Sequence, residues 1–315
     1  MQEELTANKA PAFTTADALV LTRVCLGAIT GPDGATAEQH NILSAIARHM
    51  WQLPDLDLST LTPLTAAEAD AAITLDPRRR RTRELLVLLE LCRHPLEPQH
   101  TKRIEEYCEA LSGGDGAGIE LARNFVTGGA DAALADWFRR FDQKSPEMME
   151  PTMVKLMEVD TEEAAARIEE ISKALQLAGP GTLGAEFSAF YERNGFTLGT
   201  ESIVLFGHDM AHVIGGYDAT SIGEICIGAM KLMIADTEIH WLEFLGNVMI
   251  HETGILPEGY QAHEPPLQDP ANVEKFAHAL QRGRDTAKDF SVGDHLSMIN
   301  WQYADVLEHY GVAPQ

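Results

Sequence analysis

The chain has 315 residues, of which 45% are hydrophobic, so it is long enough to form about two packed domains. Its 48 acidic and 24 basic residues give a formal net charge of −24, which excludes general nucleic-acid binding and attraction to anionic lipid. No run of about 18 apolar residues is present to span a bilayer, and residues 1–15 lack the apolar core of a signal peptide. We therefore expect a cytoplasmic protein, at most peripheral to the inner membrane.

The apolar pattern favours helices throughout. Long segments repeat apolar residues every three and four positions rather than every two, which predicts an all-α fold. The four cysteines have no paired spacing and lie among apolar helical residues, which indicates buried reduced thiols rather than disulfides; they are Cys25, Cys92, Cys108 and Cys226.

The N-terminal third contains two similar units, each an apolar helix, an acidic turn and an amphipathic helix. The first has a helix over 17–29, a turn at 31–34 and a helix from 35, and the second has a helix over 83–93, a turn at 95–98 and a helix from 99. Asp33-Gly34 followed by Glu38 resembles the turn of the tellurite-resistance TerB family, in which such turns join helix pairs. The resemblance covers residues 13–112 and implies an N-terminal TerB-like helical bundle.

A basic run at 78–81 opens the second unit in this otherwise acidic chain. Such a run is typical of a solvated first helical turn. The alternatives are an anchor for an acidic partner or a phosphate head group, or a contact with the acidic C-terminal half.

A glycine-rich segment at 112–118 has four glycines in seven residues, which predicts a flexible linker. We place an N-terminal domain at 1–112, the linker at 113–118 and a C-terminal helical metal-binding domain at 119–315. Apart from the motif helices described next, helices are predicted in the C-terminal domain over 119–126, 131–141, 146–157, 161–178, 237–250, 271–288 and 294–310, with a loop at 261–270.

The most specific pattern in the chain is His208-Asp209-x-x-His212, followed after eleven residues by Glu224. On one helix the two imidazoles lie about 40° apart and Asp209 lies within about 100° of both. A Gly-Gly pair at 215–216 predicts the end of this helix, and Thr220 offers a cap for the next one, at about 222–233. The chain thus turns back, and we expect a metal site between the two helices.

This spacing resembles the signature of the coenzyme Q (ubiquinone) biosynthesis protein four family: His-Asp-x-x-His, eleven residues, then Glu. Residues 181–196 also resemble the family's Gly-Ser-Leu-Gly segment, which leads into an aromatic helix. The clear resemblance covers residues 180–235. It implies metal binding by the four motif residues and oxidative decarboxylation of a polyprenylated benzoic acid at ring carbon one.

The expected metal is a divalent ion. Two imidazoles with two carboxylates suit zinc, iron(II), manganese or cobalt without choosing among them. Zinc is the first expectation, and Asp209 is the candidate catalytic residue. Binding by all four side chains would complete a tetrahedral structural site, whereas a five- or six-coordinate ion would keep positions open for substrate. Glu224 has a second interpretation, as the acidic member of a capping box with Ser221.

Other side chains near the motif have weaker signals. Phe187, Phe190 and Tyr191 recur at helical spacing, as in an ordinary core, but the family resemblance suggests the wall of an isoprenoid-sized pocket. Glu238, His240 and Glu243 share a later helix, which is typical of a partly exposed helix face; the alternative is that they bring an additional carboxylate and histidine to the site.

Three functions remain open at this stage. The first is a metal-dependent enzyme acting on a polyprenylated aromatic or quinone precursor, working beside other quinone-biosynthesis enzymes, with a homodimer as a further expectation. The second is a non-catalytic prenyl-lipid-binding or assembly factor with a structural metal. The third is a metal-dependent hydrolase, which is disfavoured because no histidine lies between Thr101 and Gly207 and because Asp, not Glu, follows His208.

Overall fold

The computed structural model describes residues 13–32, 34–95, 97–111, 135, 137–253 and 265–315. Within this part of the chain the regular structure is helical, and strand-like pairing is limited to one isolated bridge between Thr182 and Gln302. The prediction of an all-α fold is confirmed. None of the described helices combines the length and the apolar composition needed to cross a bilayer.

The N-terminal helices follow the two predicted units. They are α1 (Thr15–Ile29), α2 (Ala37–Ala45), α3 (Ala66–Ala72), α4 (Asp76–Leu91) and α5 (Pro98–Ala110), and a π-helical turn, Ile46–Met50, extends α2. Capping boxes at Thr14, Thr36 and Thr65 fix the starts of α1, α2 and α3. The sequence analysis missed α3, although Thr65 followed three residues later by Glu68 is the signal for it.

The C-terminal helices begin with a segment at 137–144. After it come α6 (Pro151–Leu156), α7 (Thr161–Gln176), α8 (Leu183–Asn194), α9 (Phe206–Gly215), α10 (Ser221–Ile234), α11 (Glu238–Thr253), α12 (Pro270–Asp285) and α13 (Tyr303–Tyr310). The predicted linker at 113–118, the helix at 119–126 and residues 131–134 and 261–264 lie outside the described residues.

Two predicted helices are shorter than expected. The helix predicted at 146–157 is confined to α6, because Pro151 has no N–H to donate and disfavours helical backbone at the residue before it. The helix predicted at 294–310 is divided into a 3₁₀ turn, His295–Met298, and α13. Between them, the carbonyls of Ile299 and Trp301 accept hydrogen bonds from the first N–H groups of α8, at 2.9 and 3.0 Å.

Helix α10 lies at the centre of the core. Its residues from Ile225 to Ile234 are all buried, and α11 and α12 pack on either side of it. Helix α12 also packs on α2 and its π-helical turn, while α11 packs on α4. The N-terminal and C-terminal helices therefore bury one continuous apolar core. All four cysteines are buried and free, as predicted.

The basic run at 78–81 is only partly solvated. Arg80 is about half exposed, but the Arg81 side chain is 4% exposed and is paired with Glu84 and with Asp236. Its guanidinium carbon lies 5.3 Å from the centre of the Trp241 ring. For Arg81 the solvated interpretation is wrong, and the alternative of contact with the C-terminal half is correct, since Asp236 and Trp241 both belong to that half.

We predict that Gly283→Ala destabilises the fold by about 1–3 kcal/mol, because the added methyl overpacks the contact between α12 and α10. A Cβ at this position would overlap the Met230 carbonyl oxygen and lie 2.7 Å from the Met233 Cβ. Urea unfolding measures the change. Gly179→Ala is the matched control, since a Cβ there meets no atom within 4 Å, and equal stability of the two variants would contradict the packing described.

Candidate metal centre

The chain reverses direction sharply between α9 and α10. Gly216 ends α9 with φ +72°, a left-handed conformation that favours glycine, and its N–H donates to the His212 carbonyl at 2.8 Å. The Thr220 side chain caps α10 by accepting from the Gly223 N–H. Glu224 therefore lies in the first turn of α10, directly opposite the histidines of α9.

Three of the predicted ligands meet at one point. Nε2 of His208 lies 3.0 Å from Nε2 of His212, and Oε2 of Glu224 lies 3.1 Å from each of these nitrogens. The His212 side chain is buried, while His208 and Glu224 are 21% and 16% exposed. The cluster is thus held by buried structure and is reachable from the surface.

Each histidine is anchored through its other ring nitrogen. Nδ1 of His212 lies 3.0 Å from the Tyr217 carbonyl oxygen, and Nδ1 of His208 lies 2.8 Å from Oε1 of Glu243. Both oxygens only accept, so each Nδ1 carries hydrogen and each neutral ring points an Nε2 lone pair at the centre. Two lone pairs and a carboxylate oxygen facing one another repel, unless a cation or extra protons lie between them. The donor set therefore fits a bound divalent metal.

Charged groups around His208 strengthen this preference for positive charge. Burial lowers the pKa of His208, but the carboxylates of Glu224 and Glu243 outweigh burial and raise it to about 10. Burial raises the pKa of Glu224, but His212 and His208 outweigh it, and the net pKa lies well below the ordinary value. The two groups stabilise each other's charged form.

Lys231 completes the surroundings of Glu243. Its Nζ lies 2.6 Å from the Glu243 carboxylate, and both side chains are almost fully buried. Burial raises the pKa of Glu243, whereas Lys231 and His208 lower it by more, so this carboxylate stays ionised. For Glu243 the interpretation as a partly exposed helix face is wrong, since its side chain is buried and supplies the additional carboxylate beside the site. His240 does not reach it, since its ring bonds Thr237 and Ser291 instead.

Asp209 lies beside the cluster rather than within it. Its Oδ2 accepts a hydrogen bond of 2.5 Å from the Tyr191 hydroxyl, and its oxygens are not among the donor atoms that lie within 4.8 Å of one another. Burial raises the pKa of Asp209, opposed chiefly by the positive charge of His208. The four predicted ligands thus divide into three that converge and one that is bound to a tyrosine.

The predicted aromatic residues pack directly behind the motif helix. Phe187, Phe190 and Tyr191 are buried, and the Phe190 ring lies nearly parallel to that of His212 at a centroid distance of 5.6 Å. Phe196 extends this group to the surface, because it is 43% exposed and its ring contacts Tyr191 at 5.7 Å. A line of side-chain contacts therefore runs from the exposed Phe196 through Tyr191 to Asp209.

A separate cavity of about 310 Å³ lies on the corner between α9 and α10. Its walls include the corner residues Tyr217 and Gly223 and the basic side chains Lys275, His278 and Arg282, but none of the three predicted aromatic residues.

The sequence analysis missed Lys231 and the Tyr217 carbonyl. Lys231 had a readable signal, since it is the one charged residue in the apolar stretch 225–234 and lies seven residues after Glu224, on the same helical face. The carbonyl had none, because backbone oxygens carry no sequence identity.

No protein-family model matches the chain, and no curated protein matches it. Among solved structures, it is similar to a protein from Nostoc punctiforme that is provisionally assigned to ubiquinone biosynthesis, with 17% identity and a TM-score of 0.34. The match covers 74% of this chain and 99% of that chain. This is a distant similarity, and the function of the chain has to be argued from its own residues.

We predict that Lys231→Met destabilises the protein by about 3–5 kcal/mol, because it leaves the buried Glu243 carboxylate without its main counter-charge. The double variant Lys231→Met/Glu243→Gln should recover most of that loss, since the amide needs no counter-charge. Urea unfolding of the wild type, both single variants and the double variant measures the coupling. Strictly additive effects would show that the two side chains do not interact as described.

Proposed function

We propose that the chain binds a divalent transition metal through His208, His212 and Glu224 and acts on a polyprenylated aromatic or quinone precursor. The observation that carries the proposal is the convergence of these three donor atoms at 3.0–3.1 Å, with both imidazoles fixed through Nδ1.

The size of this triangle supports a metal with more than three ligands. Donors bound at about 2.1 Å and at right angles to one another are separated by about 3.0 Å, which matches the observed separations. Three protein ligands leave further positions for substrate or water, as in catalytic sites. Right-angle spacing is typical of five- or six-coordinate ions, so iron(II), manganese and cobalt fit this ligand set as well as zinc does.

The resemblance of the motif supports an aromatic acid as the substrate. The bound metal would accept ring carboxylate or phenolate oxygens and stabilise the negative charge that develops when the carboxyl group leaves. Oxidative replacement of the carboxyl group also consumes an external oxidant, such as dioxygen. The exposed Phe196 and the buried Phe190 and Tyr191 behind it would contact the prenyl chain.

The remaining residues of the site orient the two histidines or hold a proton. The Tyr217 carbonyl orients His212, and the Glu243–Lys231 pair orients His208. The Tyr191 hydroxyl donates to Oδ2 of Asp209, whose raised pKa favours holding a proton beside the substrate. Asp209 would thus supply or accept a proton at the carboxyl oxygen that does not bond Tyr191, rather than bind the metal.

A second candidate function is prenyl-lipid binding without catalysis. It is favoured by an exposed apolar pair, Val204 and Leu205, which lies immediately before α9 and suits docking of an isoprenoid chain. In this case the metal is structural, and chelation should unfold the protein rather than leave a folded apo form.

We predict that Glu224→Gln removes one equivalent of metal while the protein stays folded, and lowers CO2 release from a prenylated hydroxybenzoate by on the order of 100-fold or more. Elemental analysis, thermal melting before and after chelation, and CO2 release in air and without oxygen are the measurements. Glu192→Gln on the exposed face of α8 is the matched control and should match the wild type. Metal loss without any turnover by the wild type would favour lipid binding, and full metal content in Glu224→Gln would contradict the site.

We predict that Phe196→Ser weakens binding of a prenylated hydroxybenzoate by roughly 10-fold or more, because a phenyl side chain contributes about 1.5–3 kcal/mol when an apolar ligand covers it. Metal content and affinity for unprenylated hydroxybenzoate should not change. Phe138→Ser is the matched control, since Phe138 is exposed to a similar degree, 48% against 43%. Equal effects of the two variants would remove Phe196 from the tail site.

A further inference from the structure

A second cluster of metal-capable side chains lies where the N-terminal helices meet the C-terminal helices. Glu38 is in the first turn of α2, His94 follows α4, and Glu252 is in the last turn of α11. Nε2 of His94 lies 3.3 Å from Oε1 of Glu252 and 3.7 Å from Oε1 of Glu38. All three donor atoms lie within 4.8 Å of one another. Residues distant in sequence are thus brought to one point.

Each carboxylate presents one oxygen to this point. Oε2 of Glu252 accepts from the Leu267 N–H at 2.9 Å, which leaves Oε1 facing His94. The Glu38 side chain is only 7% exposed. Its Oε1 is buried and has no hydrogen-bond partner among the described residues. A buried acceptor without a hydrogen-bond partner destabilises the folded protein, and a ligand bound to this oxygen would remove that destabilisation.

The charges of the cluster do not balance. Two buried carboxylates carry two negative charges, whereas His94 supplies at most one positive charge. The protein must therefore either keep a proton between the two carboxylates or hold a cation there.

The dimensions of the cluster fit a bound cation. Donors bound to a tetrahedral metal at about 2.1 Å are separated by about 3.4 Å, and the two His94 separations of 3.3 and 3.7 Å lie on either side of this value. One imidazole and two carboxylates suit a transition metal such as zinc or manganese, while magnesium avoids imidazole. His94 is 20% exposed, so the point can be reached from solvent.

We propose that Glu38, His94 and Glu252 form a second divalent transition-metal site that fastens α2 and the segment after α4 to the end of α11. The site uses no residue of the cluster at His208, His212 and Glu224, and its role is structural. The bound ion neutralises both carboxylates and adds a link between the two halves of the chain that the apolar core already joins.

The test is the zinc stoichiometry of the full chain, measured by elemental analysis after chelation, reloading with Zn²⁺ and dialysis. The wild type should hold two equivalents, Glu38→Gln one, Glu224→Gln one, and the double variant none. Glu192→Gln, at an exposed position, should hold two. Glu38→Gln keeps the shape of the side chain and removes a buried charge, so the variant should fold.

Thermal melting separates this site from the proposed catalytic one. Zinc should still raise the melting temperature of Glu224→Gln, and this rise should be absent from the double variant. Two equivalents in Glu38→Gln, or none in Glu224→Gln, would overturn the second site and indicate a proton shared between Glu38 and Glu252. One equivalent that is lost only in Glu38→Gln would support the second site and contradict the first.

Discussion

The buried carboxylate of Glu243 fixes the arrangement of three helices, because it binds Lys231 of α10 and His208 of α9 at the same time. A charge that is removed from water must be matched by opposite charge at close range, and few alternative packings of α9, α10 and α11 would satisfy it. Apart from Lys231, the stretch of α10 from Ile225 to Ile234 is apolar and makes no directional demand of its own. The contacts of Glu243 with Lys231 and His208 therefore determine which face of α10 meets α9. This orientation places Glu224 beside the histidines.

The two histidines of the centre are held by different means. His212 is fixed by a neutral backbone carbonyl and packed against Phe190, whereas His208 is fixed by a carboxylate and remains partly exposed. A carboxylate partner makes an imidazole a stronger base and a stronger metal ligand than a carbonyl does. His208 is thus the stronger donor and lies on the side of the site that solvent can reach. His212 is buried and held in a fixed orientation.

The helices were largely predictable because caps, breakers and apolar spacing act within a few residues. The helix end at Gly216 and the cap of α10 at Thr220 were predicted from local sequence signals, and the structure has both. The failures have non-local causes. The segment before α13 forms a turn instead of helix, since its carbonyls complete the start of α8. Arg81 is buried because Asp236 and Trp241 pack onto it from the other half of the chain.

For the candidate site, the sequence by itself determined that His208 and His212 share one helical face and that Glu224 returns to them after a glycine corner. These relations span at most two helices, where spacing fixes direction. Only the tertiary structure decided that Asp209 bonds Tyr191 and stays outside the triangle. It alone also joined Glu38, His94 and Glu252, because contacts between residues far apart in the chain depend on how whole helices pack, and no spacing rule extends that far.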